Sequence, residues 1–82
     1  MALELTRKAL DEKNIKYDYA EEEGLGSLNF IHRGLSYHIW EYSDDEETKA
    51  IGVDTNLMHA GKSEDVEGDY EKTICGWIET YF

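Results

Sequence analysis

Alternating side chains on either side of Arg33 and Gly34 constrain the fold of this chain more than any other feature. The runs at about 27–32 and 35–42 both alternate along their length, which is typical of strands with two different faces. Gly34 can supply the positive φ that a tight hairpin turn requires. Because a slip of one residue exchanges the buried and exposed faces, the cleaner segregation of side chains favours a two-residue turn at 33–34.

This register gives the predicted hairpin an apolar face and a mixed face. It pairs residue 32 with 35, 30 with 37 and 28 with 39. The apolar face, expected to form the core, carries Leu28, Phe30, His32, Leu35, Tyr37 and Ile39. The mixed face carries Asn29, Ile31, Ser36, His38, Trp40 and Tyr42. His32 and His38 therefore project from opposite faces, and they cannot share a metal ion or a proton.

Helices are predicted at both ends of the chain. Residues 2–13 place most of their apolar side chains on one broad helical face, formed by Ala2, Leu3, Leu5, Ala9 and Leu10. Asn14 tolerates the left-handed conformation that ends many helices. Asp69 is a good N-cap for a second helix. The apolar stripe of that helix consists of Tyr70, Ile74, Trp77, Ile78 and Tyr81.

The other segments complete an antiparallel meander of about four strands. Alternation predicts a strand at 15–20, a charged turn at 21–27 and a further strand at 48–54, with Ile51 and Val53 on one face. Residues 56–60 suit either a short strand or a helical turn, and 61–68 reads as an exposed loop. We expect one α+β domain spanning 1–82, in which the N-terminal and C-terminal helices pack on one sheet face.

Composition excludes several classes of protein. Cys75 is the only cysteine among 82 residues, so no internal disulfide can form, and a reducing, cytoplasmic setting is expected. No apolar run approaches the roughly 18 residues of a membrane helix, and the N-terminus lacks the apolar core of a signal peptide.

The chain is strongly acidic. Nineteen Asp and Glu against eight Lys and Arg give a formal net charge of −11. This charge disfavours direct binding to nucleic acid or to anionic membranes. It can simply aid solubility, or it can serve to mimic nucleic acid or to dock on a basic partner. Acidic residues are densest in two predicted loops, 41–47 and 64–71, and those with a proposed role are Asp44, Asp45, Glu46, Glu47, Glu64, Asp65 and Glu67.

The sequence gives no pattern typical of catalysis, metal binding or a cofactor. The histidines and Cys75 are scattered singly, without the spacings of a zinc site, and the acidic loops lack the ligand order of an EF-hand. Cys75 adjoins the apolar stripe of the second helix, where a cysteine is more often a small buried hydrophobe than a nucleophile. We expect no enzyme and no cofactor.

The mixed face of the hairpin is the candidate site. Trp and Tyr on a sheet face indicate either coverage by the segment 55–68 or contact with a partner. Our leading hypothesis is a non-catalytic interaction or regulatory domain that binds another protein, or itself, through Ile31, His38, Trp40 and Tyr42. The alternative is an acidic inhibitor that mimics nucleic acid, of the anti-CRISPR or other anti-defence type, and binds a basic nucleic-acid-handling protein.

The order helix, meander, helix also resembles a known group. The stretches LDEKNIKYDY at 10–19 and GLSYHIWEY at 34–42 carry a resemblance to the YbjN-like and type III secretion chaperone-like proteins. It covers about half the chain and includes no diagnostic motif. The resemblance implies a small, often dimeric, protein-binding module without catalytic residues.

Overall fold

A computed structural model describes residues 2–43, 50–58 and 62–82. Its elements are α1 (Glu4–Glu12), β1 (Tyr17–Glu22), β2 (Leu25–His32), β3 (Leu35–Tyr42), β4 (Gly52–Thr55), β5 (Glu64–Glu67) and α2 (Tyr70–Tyr81). The strands form one antiparallel sheet in the order β1-β2-β3-β4-β5, so every strand lies beside its neighbour in the chain. The predicted α+β order of helix, antiparallel meander and helix is confirmed, with five strands rather than about four. Among the described residues, no helix has both the length and the apolar composition needed to cross a membrane.

The central hairpin has the register that the sequence predicts. His32 lies opposite Leu35, Phe30 opposite Tyr37 and Leu28 opposite Ile39. Arg33 and Gly34 form the turn with φ values of 53° and 82°. Positive φ at both central residues defines a type I′ turn, whose twist matches that of the flanking strands.

A second hairpin joins β1 to β2 by the same turn chemistry. Glu23 and Gly24 have φ values of 54° and 82°, and Glu22 lies opposite Leu25. The predicted turn at 21–27 therefore shrinks to two residues, and the first strand ends at Glu22 instead of residue 20. A non-glycine residue with positive φ gives little signal in a sequence, which explains the difference.

The last two strands depart most from the prediction. β4 is a short strand that begins at Gly52, and Ile51 lies outside it with an exposed side chain, while residues 48 and 49 are outside the described residues. The predicted exposed loop at 61–68 is wrong, since Glu64–Glu67 pairs along all of β4. Backbone hydrogen bonds to a neighbouring strand place this polar segment at the sheet edge, although its own side chains show almost no apolar alternation.

The helix ends follow local rules. Asn14 adopts φ 58°, as predicted, and completes a Schellman motif: the Ile15 N–H donates to the Leu10 carbonyl and the Asn14 N–H to the Asp11 carbonyl, both at 3.0 Å. Asp69 occupies the predicted N-cap position of α2, but its side chain accepts no capping hydrogen bond.

Both helices pack on the same side of the sheet, which we call the covered face. The fully or nearly buried core consists of Leu3, Ala9, Leu10, Ile15, Leu28, Phe30, Ile39, Val53, Leu57, Ile74 and Ile78. Two predicted members of the helical stripes lie elsewhere: Leu5 and Tyr81 are both 60% exposed. Their places are taken by Thr6, which is fully buried, and by Phe82, whose ring contacts Phe30 and Tyr37.

The buried Thr6 is explained by a contact between the two helices. Its backbone N–H and its hydroxyl donate to the Glu71 carboxylate at 3.0 and 3.2 Å. Leu3, at the N-cap of α1, provides no side-chain cap. A carboxylate from α2 therefore caps the N-terminus of α1, where free N–H groups and the helix dipole favour negative charge.

Candidate partner-binding surface on the open sheet face

The sheet side opposite the helices, the open face, is built from alternate residues of the five strands. The register brings all four predicted partner-binding residues onto it: Ile31, His38, Trp40 and Tyr42. His32 lies on the covered face, where its ring contacts that of Phe82 at 5.1 Å. The predicted separation of the two histidines is therefore confirmed.

Trp40 lies near the middle of the open face in a fixed orientation. It sits opposite Ser27 on one neighbouring strand and Asp54 on the other, and 44% of its surface is exposed. Its indole N–H donates to Asn29 Oδ1 at 3.2 Å, and its ring lies 4.2 Å from that of His38. The ring is thus held by two neighbours and still presents a large aromatic surface to solvent.

His38 is the less exposed partner in this pair. Its side chain is only 16% exposed, and its Nε2 lies 3.3 Å from Asp54 Oδ1 and 3.4 Å from Ser63 Oγ. Its backbone N–H donates to Asn56 Oδ1 at 2.9 Å, beyond the end of β4. The segment after β4 therefore contacts His38, as the covering alternative expected, but it leaves Trp40 exposed. His38 acts as a support for the indole ring.

Tyr42 lies across a glycine on the next strand. It pairs with Gly52, which in turn pairs with Glu67, and the Tyr42 hydroxyl donates to Glu67 Oε2 at 3.0 Å. A Cβ atom at Gly52 would come within 2.5 Å of the Val66 carbonyl oxygen and 3.0 Å of the Tyr42 hydroxyl. Glycine at position 52 therefore permits the tyrosine to reach the edge strand.

Ile31 is a separate apolar point on the open face. It is 70% exposed and lies opposite Ser36, four residues along the strands from the Ser27–Trp40 pair. That spacing corresponds to about 13 Å along the strand direction. An open groove of about 510 Å³ beside Ile31 is bordered by Lys16 and Asp18. The predicted site therefore contains two exposed apolar points rather than one continuous patch.

The predicted acidic residues divide into three groups. Asp65 and Glu67 are exposed on the open face, whereas Glu64 is half-buried on the covered side of β5. Residues Asp44, Asp45, Glu46 and Glu47 lie outside the described residues. The expected acidic loop at 64–71 is therefore a strand followed by the start of α2, and its alternation separates Glu64 from its neighbours.

The open face carries several acidic side chains on its strands, and Lys16 lies at its border beside Ile31. Its strand positions carry the carboxylates of Asp18, Glu22, Asp54, Asp65 and Glu67. On the five described strands, no Lys or Arg points to this side. The aromatic residues of one hypothesis and two of the acidic residues of the other thus share a single surface. The sequence does not reveal the acidic character of this face, because Asp54 and Asp65 become neighbours only through the pairing of β4 with β5.

The cysteine thiol, the side chain best suited to act as a nucleophile, lies on α2 and not on the open face. Cys75 is half-buried in α2, and burial raises the pKa of its thiol, which disfavours the nucleophilic thiolate. Within the described parts of the chain, no group of three His, Cys, Asp or Glu side chains is placed to hold a metal ion.

Together these features define a small α+β domain with one helix-covered sheet face and one open, acidic sheet face that presents a fixed tryptophan. The chain matches no family model, no curated protein and no solved structure. The resemblance to the YbjN-like and secretion chaperone-like group stays a prediction.

Proposed function

We propose that this chain is a non-catalytic protein-interaction domain that binds another protein, or a second copy of itself, through the open face. The observation that carries the proposal is the 44% exposure of Trp40 at the middle of the sheet face that lies opposite the two described helices. Tryptophan is enriched among the residues that contribute most to binding energy at protein interfaces.

The orientation of Trp40 supports the proposal. Its indole N–H is bonded to Asn29 and its ring contacts His38, so little side-chain freedom remains to be lost on binding. Surrounding polar groups can form the rim that excludes water around such a residue. Ile31, about 13 Å away along the strands, provides a second contact point for a partner that spans the face.

The experiment compares Trp40→Ala with Tyr81→Ala, which also removes an exposed aromatic side chain but from the far end of α2. Sedimentation velocity first measures self-association, and a partner identified by affinity capture is then titrated by calorimetry. We expect Trp40→Ala to weaken self-association or partner binding about 30-fold or more, while Tyr81→Ala leaves it unchanged. Equal affinity of both variants for the partner, and for themselves, would show that the open face is not the interface.

A second function is favoured by the acidic character of the open face. Asp54, Asp65 and Glu67 lie together on it, so an acidic inhibitor of a basic nucleic-acid-handling protein has a defined surface with which to mimic nucleic acid. Such an inhibitor binds its target tightly at low salt, and nucleic acid competes with it.

The mimicry is tested with two sets of neutralised variants. Joint replacement of Asp44, Asp45, Glu46 and Glu47 by their amides, or of Asp65 and Glu67, should weaken binding to the captured target. Binding that ignores salt, nucleic acid competitors and both sets of changes would exclude this function.

A further inference from the structure

We infer that the open face accepts a basic segment of a partner protein, with an arginine side chain lying on Trp40 and reaching Asp54 and Asp65. This inference rests on the proposed function and specifies the chemistry of the partner. It follows from three properties of the face: the cross-strand row that these residues form, the repulsion within that row, and the sign of the surrounding charge.

The three residues form one row across the sheet. Trp40 pairs with Asp54, and Asp54 pairs with Asp65, so neighbouring members are separated by one strand spacing of about 4.8 Å. They border a shallow depression of about 380 Å³ together with Glu41 and Tyr42. One side of this depression is aromatic and the other carries two carboxylates, which is the arrangement that a guanidinium group matches.

Within the described part of the chain, the two carboxylates of this row repel each other. Asp54 and Asp65 are directly opposite each other on neighbouring strands, a placement that destabilises a sheet when both side chains are charged. Asp54 does contact His38, whose Nε2 lies 3.3 Å from Oδ1. A cation from a partner would relieve the repulsion and gain two carboxylate contacts.

Arginine suits this site better than lysine. Its planar guanidinium group can stack on an indole ring and donate to carboxylates along its edge at the same time. The Trp40 ring is held by His38 and Asn29, so the platform exists before binding.

The charge of the whole chain selects among possible occupants. A second copy would bring another net charge of −11 and the same acidic face. Nucleic acid and anionic lipid would be repelled in the same way. A basic polypeptide segment is attracted, and its arginine side chains can reach the depression from an extended backbone.

The test uses a short capped peptide of alternating arginine and glycine, with the uncharged citrulline peptide of the same length as its control. The Trp77→Phe background leaves Trp40 as the single tryptophan, so its fluorescence reports binding at the open face. We expect the arginine peptide to change this fluorescence with saturation and the citrulline peptide to give no change. No response of Trp40 to the arginine peptide overturns the inference.

Two double variants with the same net charge distinguish binding at a defined site from attraction to the overall negative charge. Asp54→Asn with Asp65→Asn, and Asp11→Asn with Glu12→Gln on α1, remove the same number of negative charges. We expect the first pair to lower the affinity for the arginine peptide about ten-fold or more and the second pair to lower it much less. Since Asp54 also contacts His38, Asp65→Asn alone is the second variant, and it must show part of the loss.

The outcomes also distinguish this inference from the proposed function. If the two double variants lose the same affinity for the arginine peptide, the peptide is attracted by net charge alone, and the inference is overturned. A natural partner that needs Trp40 but binds the Asp54 and Asp65 variants normally would overturn the inference and leave the interaction domain in place. Self-association through Trp40 without arginine binding would do the same.

Discussion

The covered face and the open face are formed by alternate residues of the same strands, yet their side chains contribute different properties. Ile39 and Trp40 are neighbours in β3: the first is fully buried between sheet and helices, and the second is 44% exposed. Burial of apolar surface stabilises the domain on one side. On the other side, hydrogen bonds and ring contacts orient side chains, and Trp40 keeps 44% of its surface exposed to water. One strand can therefore carry both stability and recognition, and substitutions can separate the two.

The carboxylates of the two faces also differ in their surroundings. Glu41 accepts hydrogen bonds from the Tyr70 hydroxyl and the Gly26 N–H, and Glu71 caps α1. These carboxylates have partners within the domain. The open-face aspartates Asp54 and Asp65 instead oppose each other across two strands. Glu41 and Glu71 thus join elements of the fold, whereas Asp54, which contacts His38, and Asp65 lie side by side on the surface that a partner can reach.

The largest contrast is expected between Ile39→Ala and Trp40→Ala. Removing a fully buried isoleucine should lower the free energy of unfolding by about 2–5 kcal/mol, a large part of the stability of a small domain. Truncating Trp40 should cost less, about 1–2 kcal/mol, because 44% of its surface is already exposed and it loses only its contacts with His38 and Asn29. Urea denaturation, monitored by circular dichroism, measures the free energy of unfolding of both variants. Equal costs would show that the open face belongs to the core.

Gly52 on the sheet and Gly76 in α2 differ in the space that each leaves for an added Cβ atom. Gly52→Ala should destabilise the domain by about 1–3 kcal/mol, because the new Cβ meets the Val66 carbonyl oxygen at 2.5 Å. Gly76→Ala should stabilise it by about 0.5–1 kcal/mol, since Gly76 lies inside α2 with nothing within 4 Å of a Cβ. Thermal melts of both variants test the signs, and a stabilised Gly52→Ala variant would refute the close approach of the Val66 carbonyl oxygen.

Loss of the carboxylate between the helices should have a smaller effect. Glu71→Ala leaves the Thr6 N–H and hydroxyl without their acceptor, and we expect it to cost about 1–2 kcal/mol. Glu12→Ala, at an exposed position in the last turn of α1, is the control and should change stability by less than about 0.5 kcal/mol. Chemical denaturation that ranks the two variants equally would exclude the capping role of Glu71.

The smallest expected effect appears only at alkaline pH. Burial and the hydrogen bond to Glu41 raise the pKa of Tyr70 above its ordinary value of 10.0. The unfolded chain therefore releases this proton at lower pH than the native chain, and stability falls as pH rises above about 10. Tyr70→Phe should reduce this slope without abolishing it, because the pKa values of Tyr17 and Tyr19 are also raised. Urea denaturation at about pH 8 and about pH 10.5 measures the fall in the free energy of unfolding with pH. An equal fall in Tyr70→Phe and the unchanged protein would contradict the buried contact between Tyr70 and Glu41.

Much of the fold could be predicted because it depends on neighbours in sequence. The alternation of 27–42 fixes which side chains share a face, and Gly34 fixes the turn. Asn14 marks the end of α1 because it tolerates positive φ, and Asp69 marks the start of α2 because aspartate favours the N-cap position. The predicted grouping of Ile31, His38, Trp40 and Tyr42 on one side is a direct result of period-two geometry.

The remaining features could not be predicted, because they depend on contacts between segments distant in sequence. Val66 is the one apolar residue of β5, so only pairing with β4 makes this segment a strand. Thr6 is buried because Glu71 from the other helix binds it, while Leu5, with the more apolar side chain, faces solvent.

The sequence by itself therefore determined the two helices, the central hairpin with its register and the two faces of that hairpin, because these follow from local backbone geometry and side-chain alternation. Only the tertiary structure decided that Glu64–Glu67 forms the edge strand and which carboxylates come to surround Trp40. Asp54 and Asp65 are eleven positions apart in the chain and directly opposite in the sheet. Such proximity results from strand pairing, which no single segment encodes.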